Sequence, residues 1–309
     1  MAPAIRFDNL SKSYRDGSRS KSALKGISFS VEEGEIFGFL GPNGAGKTTA
    51  MHVLMDFIFP TDGKSEIMGI DSREPRARQP VGFLPEIFNF DTFLTGEDFL
   101  RLFGKMASRN RELVEAHIPE LLRFLDLPDA GKIKIRNYSK GMTQKIGLAQ
   151  ALIGDPSILV LDEPTSGMDP IAKARIKQLF TKLRSEGKTV FLSTHILSDV
   201  EDIADRVAII NNGELLTVDR VSNLISGDEQ QSRIVFEGEA ALLSAIGEKV
   251  EVMKHDDRHE VHCPDKITKA FVLETILRHS GEVISVKPVG SSLQSQFLKM
   301  LNKEELADD

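Results

Sequence analysis

Residues 41–49 read Gly-Pro-Asn-Gly-Ala-Gly-Lys-Thr-Thr. A glycine, four residues and then Gly-Lys-Thr is a spacing that constrains its surroundings, because it works only where a strand enters and a helix leaves. Both flanks comply. Glu35–Leu40 (EIFGFL) is a strand-like apolar run, and Met51, Leu54, Met55 and Ile58 follow at helical spacing. Gly41, Gly44 and Gly46 let backbone N–H groups turn inward around a phosphate chain without a Cβ penalty. The helix N-terminus adds its positive dipole end. Lys47 supplies a mobile cation for β- and γ-phosphates, and Thr48 a hydroxyl for Mg2+.

A second stretch fits the same chemistry. Ser157–Leu161 is a continuous apolar run, as in strands buried on both faces of a parallel sheet, and it ends in Asp162-Glu163-Pro164. Adjacent carboxylates at the end of a buried strand are costly without compensation. With a phosphate loop upstream, Asp162 suits the Mg2+-binding acid of a nucleotidase and Glu163 the residue that activates water. Thr189–Leu192 is another buried strand and runs into Ser193-Thr194-His195, which puts His195 where ligands of open α/β sheets bind. Tyr14 falls between the expected strands Ile5–Leu10 and Ile27–Val31; its ring suits stacking on adenine, or is a plain surface side chain.

Between these motifs, Pro80–Pro85 reads as a short buried strand followed by Glu86. Thr95–Leu127 is helical, with Leu113, His117, Leu121 and Leu125 recurring beside Val114, Ile118 and Leu122, which suits a small helical insertion. Phe88, Phe90 and Phe93 crowd its entry and suit either its core or a partner-facing pocket. Ser139 is placed to cap a helix that Gly154-Asp155-Pro156 stops. A helix over Ile171–Leu183, a short one at Leu197–Ile203 and a hairpin across Asn211-Asn212-Gly213 follow.

Ser226–Ser232 is polar and unpatterned, and divides the chain into 1–228 and 229–309. Beyond it, strands are expected at Ile234–Glu237, Val250–Lys254, Glu260–Cys263 and Val283–Lys287, with helices at Ala240–Ile246, Lys266–His279 and Leu293–Leu301. The first six elements have the β-α-β-β-α-β order of a ferredoxin-like α+β domain. His255, His259, His262 and Cys263 are good metal ligands close in sequence. A two-residue turn at Asp256-Asp257 opposes His255 to Arg258 and Lys254 to His259, and leaves Glu251 to pair with His262. In that register His259 points away from His255 and His262, which lie roughly 13 Å apart along the sheet, so the four do not converge.

Cys263 is the sole cysteine, so no intrachain disulfide forms, as suits a reducing cytosol. The net charge of -7 gives no reason to expect nucleic acid. No apolar run approaches the ~20 residues of a membrane-spanning helix, so work at a membrane needs another chain to cross it.

Taken together, these residues resemble the ATP-binding subunit of ABC transporters over nearly the whole chain. The Walker A motif is GPNGAGKT; Ile158–Pro164 (ILVLDEP) is similar to Walker B, Ser166–Asp169 (SGMD) to the D-loop, and His195 to the switch histidine. Tyr138–Met142 (YSKGM) stands where the signature LSGGQ stands, matching at Ser139 and Gly141, and Glu86 replaces the usual glutamine. Both departures resemble a bacterial exporter branch that often carries a C-terminal domain. The resemblance implies an α/β P-loop NTPase fold with antiparallel β and helical subdomains. It implies that Tyr14 stacks on adenine and that Gly41, Pro42, Asn43, Gly44, Ala45, Gly46, Lys47, Thr48 and Thr49 hold the phosphates of ATP. Thr48, Glu86 and Asp162 then serve Mg2+, Glu163 is the general base, and His195 meets the γ-phosphate. Ser139, Gly141 and Asp169 belong to the site shared with a second ATPase subunit, most simply in a homodimer. The expected setting is cytoplasmic, peripheral on the inner face of the cell membrane, with integral membrane permease subunits that Phe88 and Phe90 help to dock. The competing reading is a soluble ABC ATPase of translation or DNA repair, which the single cassette, the lack of a long coiled coil and the acidic charge disfavour.

Overall fold

The computed structural model describes residues 2–16, 19–87, 93–107, 110–225, 232–238, 240–247, 250–255, 258–288 and 292–305. Phe88, Phe90, the 226–231 stretch and the Asp256-Asp257 turn therefore lie outside the described residues. The chain forms two compact units, Met1–Arg220 and Val221–Asp309.

In the first unit, β1 (Ile5–Asp16) and β2 (Arg19–Val31) form a long antiparallel ladder, and β3 (Ile36–Leu40) leads into the glycine loop and α1 (Lys47–Leu54). β4 (Asp62–Ile67), β5 (Ile70–Asp71) and β6 (Val81–Leu84) follow, then α2 (Gly96–Ala107) and α3 (Arg111–Phe124) of the helical insertion. The remaining elements are α4 (Lys140–Leu152), β7 (Ile158–Asp162), α5 (Pro170–Ser185), β8 (Thr189–Thr194), the single turn α6 (Ser198–Glu201), β9 (Arg206–Asn211) and β10 (Glu214–Arg220).

Two sheets result. One has six strands in the order β10-β9-β3-β8-β7-β6, parallel except for the β9–β10 hairpin, and the other is antiparallel in the order β2-β1-β4-β5. β3, β7 and β8 are buried along their whole lengths, which is why their sequences run apolar without alternation. A phenylalanine cluster joins the sheets: Phe29 of β2 stacks on Phe37 of β3 at 5.4 Å, and Phe39 on Phe191 of β8 at 5.9 Å. It anchors both strands that end beneath the glycine loop. Such aromatic pairs contribute about 0.5–1.5 kcal/mol each beyond their area.

The structure corrects one sequence expectation and adds to the reading at two other places. Tyr14 is inside β1, paired with Lys21, and not in a connection. β4 and β5 had no counterpart in the sequence reading. On α3 the buried row is Val114, Ile118 and Leu122, while Leu113 is 52% exposed.

The second unit opens with α7 (Val221–Ile225) and continues through β11 (Ser232–Glu237), α8 (Ala240–Gly247), β12 (Val252–His255), β13 (Arg258–Cys263), α9 (Lys266–Arg278) and β14 (Glu282–Pro288) to α10 (Leu293–Glu305). Its sheet is antiparallel in the order β12-β13-β11-β14, over a core that includes Ile234, Phe236, Val261, Cys263, Val272 and Ile276. His255 faces Arg258 and Lys254 faces His259, the register read from the sequence. His262 pairs with Glu260 at 3.3 Å, not with Glu251, because Arg233 holds the Glu260 carboxylate beside it.

Candidate functional site

The glycine loop is shaped by what lies behind it. Gly46 has φ 112, and a Cβ there would stand 2.5 Å from the Ala23 carbonyl oxygen. Gly41 has no positive φ; its need is space, since a Cβ would stand 2.2 Å from the Ile210 carbonyl. The loop is thus pressed between β2 and β9. Gly46 caps α1 without a side-chain bond, so the first N–H groups of the helix stay available to an anion. The Ser139 side chain caps α4 through the Met142 N–H, and Asp169 caps α5 through the Ala172 N–H at 2.9 Å. That N–H bond holds the Asp169 carboxyl below the usual range.

A cleft of about 460 Å³ opens over the loop. Tyr14, Asn43, Gly44, Gly46, Lys47, Thr48, Thr49, Glu86 and Glu163 line it, drawn from four segments of the sequence reading, together with Lys21 and Ala23, which that reading missed. Register was the signal for Lys21: it pairs with Tyr14 and so shares its face. On that face the Lys12 ammonium lies 5.1 Å from the Tyr14 ring centre. Ala45 is buried, and its carbonyl accepts from the Gly213 N–H at 3.0 Å.

Lys47 curls back over the loop. Its Nζ donates to the Gly41 carbonyl at 2.7 Å and the Pro42 carbonyl at 3.2 Å, and lies 3.7 Å from Glu163 Oε1. Burial pushes its pKa down; the charges of Glu163 and Asp162 act the other way. The same Glu163 Oε1 shares a hydrogen bond of 3.0 Å with His195 Nδ1. Asp162 is fully buried; Ser193 donates its hydroxyl to Oδ1, while Oδ2 is a buried oxygen with no hydrogen bond. An anionic oxygen left bare in a protein interior is costly, and a cation answers that cost.

Glu163 has φ 49, a left-handed conformation unusual for a residue with a side chain. Its N–H donates to Ser193 Oγ at 3.1 Å, and its carbonyl accepts from Gln144 Nε2 at 3.1 Å. Two residues on, Thr165 Oγ1 donates to Asp199 at 2.8 Å, and Lys173 also reaches Asp199 at 2.8 Å. Gln144, Thr165, Lys173 and Asp199 escaped the sequence reading because nothing in their spacing shows that they meet. Ser139, Gly141 and Asp169 do not line the cleft; they sit at the starts of α4 and α5.

The arrangement offers a phosphate cradle, a buried cation, a bare carboxylate oxygen and a carboxylate–imidazole pair around one cleft. Comparisons with known proteins agree with it. The family model described as ABC transporter matches residues 24–166. An ABC transporter ATP-binding protein of Nostoc sp. is 35% identical over 97% of this chain and 90% of its own. Nod factor export ATP-binding protein I of Rhizobium meliloti is 36% identical over 79% of this chain and 72% of its own. Among solved structures, the dimeric post-hydrolysis state of an ATP-binding cassette bound to ADP and Pi superposes with a TM-score of 0.65 at 26% identity, covering 70% of this chain and 98% of that one.

Proposed function

The chain belongs to the family of ABC transporter ATP-binding subunits and is an ATPase of that type, and from that premise we propose that it is the motor of an exporter. Two copies bind two ATP molecules at their shared interface and drive transport through separate integral membrane permease subunits. Relatives that are export ATP-binding proteins support the direction of transport. No described helix is long and apolar enough to cross a membrane. The subunit acts peripherally, on the cytoplasmic side of those permeases. Residues 229–309 form an accessory domain.

The observation that carries this reading is the convergence of Lys47, Glu163 and His195 over the glycine loop. Tyr14 stacks on adenine, and the loop N–H groups hold the phosphates. Lys47 exchanges its bonds to the Gly41 and Pro42 carbonyls for phosphate oxygens. Glu163 takes a proton from the attacking water, and His195 keeps that carboxylate aimed while meeting the γ-phosphate. Thr48 and Asp162 would hold Mg2+, with Glu86 acting through water; the bare Asp162 Oδ2 fits this. When bound, the ion neutralises phosphate charge. Ser139, Gly141 and Asp169 serve the other copy's nucleotide, since they stand outside this chain's own cleft. Completing a phosphoryl-transfer site only on pairing makes hydrolysis depend on closure.

Glu163→Gln tests the reading. Turnover should fall by about 10²–10⁴, the usual loss of a general base, with ATP still bound and the protein shifted to a dimer by ATP. Near-normal hydrolysis would remove Glu163 from the role.

A further inference from the structure

We propose that Gln144 is a positioning residue that clamps the left-handed turn from which Glu163 is presented. The proposal rests on the reading of Glu163 as the base. A residue with a side chain holds φ 49 only where its surroundings over-determine it. Here both main-chain groups of Glu163 are bound by side chains from other elements: its N–H by Ser193 at the end of β8, its carbonyl by Gln144 in the middle of α4. Ser193 is shared with Asp162, so it follows that carboxylate. Gln144 is 6% exposed and stands on a helix face otherwise built from Gly147, Leu148 and Ala151. A buried amide is unfavourable unless it is hydrogen-bonded, and an apolar side chain of the same length would fill the space at lower cost. What the amide adds is a donor, and that donor goes to the base's own carbonyl. Without it the Glu163 carbonyl is held only by the Ser166 N–H of its own turn, at 3.1 Å, which moves with the turn and does not tie it to another element. The carboxylate would then leave the point where it meets both Lys47 Nζ at 3.7 Å and His195 Nδ1 at 3.0 Å.

The test is Gln144→Met, which keeps length and volume without the donor, beside Gln144→Glu, which sets an acceptor against a carbonyl oxygen. On the purified full chain, kcat for ATP should fall on the order of 10–100-fold in both, as for a misplaced catalytic group. The ATP Kd should stay within about threefold of the parent and the unfolding transition should remain cooperative. Adding Gln144→Met to Glu163→Gln should lower turnover no further, because there is then no base to aim. An unchanged kcat in Gln144→Met overturns the clamp. So does a parallel loss of kcat, ATP affinity and Tm, which marks a packing residue. Wild-type turnover by Glu163→Gln alone would remove the base assignment and the clamp with it; that failure shows in a variant with Gln144 intact.

Discussion

Lys47 carries its charge at a cost. Burial lowers its pKa, so the unfolded chain holds that proton more firmly than the nucleotide-free fold does. Stability from this group therefore rises as pH climbs through the lowered folded value toward 10.5, and at neutral pH the charge is a net penalty. On the proposed function, phosphate is what the charge is kept for. Lys47→Met preserves the stem and removes the ammonium, so ATP affinity should fall at least about tenfold, or ~1.4 kcal/mol. The Tm without nucleotide should hold or rise, as when a functional site trades stability for activity. A lower Tm with ATP affinity intact would mean that the ammonium serves the Gly41 and Pro42 carbonyls instead. At this scale the sequence was informative wherever a residue type is forced by chemistry at a fixed spacing, as for Lys47, Thr48, Asp162, Glu163 and His195. It was silent on Gln144, Lys21 and Asp199, whose roles depend on elements that only the tertiary fold brings together.

At the scale of elements, the departure at Tyr138 has a structural reason. Its hydroxyl donates to the Ala130 carbonyl at 2.6 Å, tying the start of α4 to the turn after α3. Burial, with some help from Glu97, pushes the phenol up to about 12 from 10.0. The folded chain keeps this proton longer, so the stability it contributes is whole below pH 10 and lost between 10 and about 12. Tyr138→Phe should cost about 1 kcal/mol at neutral pH, the usual net worth of such a bond, and should flatten that alkaline loss. Lys47 slopes the other way up to 10.5, so the difference between variant and parent in alkaline unfolding curves isolates the tyrosine. Equal alkaline slopes would deny Tyr138 the role. The elements legible in the sequence were those with their own continuous apolar run or cap, such as β3, β7, β8 and α4. β4 was not, because in Asp-Gly-Lys-Ser-Glu-Ile only Ile67 is apolar, and its strand comes from the ladder with β1. On α3 two apolar rows compete at the same spacing, and burial chose Val114, Ile118 and Leu122, on a helix that packs with α2 and α4.

On the scale of the whole molecule, the first unit presents large exposed apolar side chains on both sides in sequence of the stretch after Glu86, and along α2. Ile87 is 77% exposed, Phe93 is 70% exposed and Met106 is 75% exposed, with Leu102 one turn before it on α2. Phe93, one of the phenylalanines open to a reading as the core of the helical insertion, is exposed, and among the described residues the buried apolar side chains of the insertion include Phe99, Leu100, Val114, Ile118 and Leu122. Apolar side chains left outside a finished core suit a contact with another chain, and on the proposed function that chain is a permease subunit. Glu86 lines the cleft over the glycine loop and Ile87 follows it directly, so a contact at Ile87 lies one residue from that cleft. Ile87→Ser combined with Phe93→Ser should leave the isolated subunit's Tm and ATPase rate near those of the parent, since exposed positions usually shift stability by no more than about 0.5 kcal/mol. Binding to the detergent-solubilised permease, and ATP-driven transport by the reassembled complex, should be lost. If the double variant unfolds at a lower temperature and loses ATPase activity along with transport, these side chains belong to the fold and the docking surface lies elsewhere.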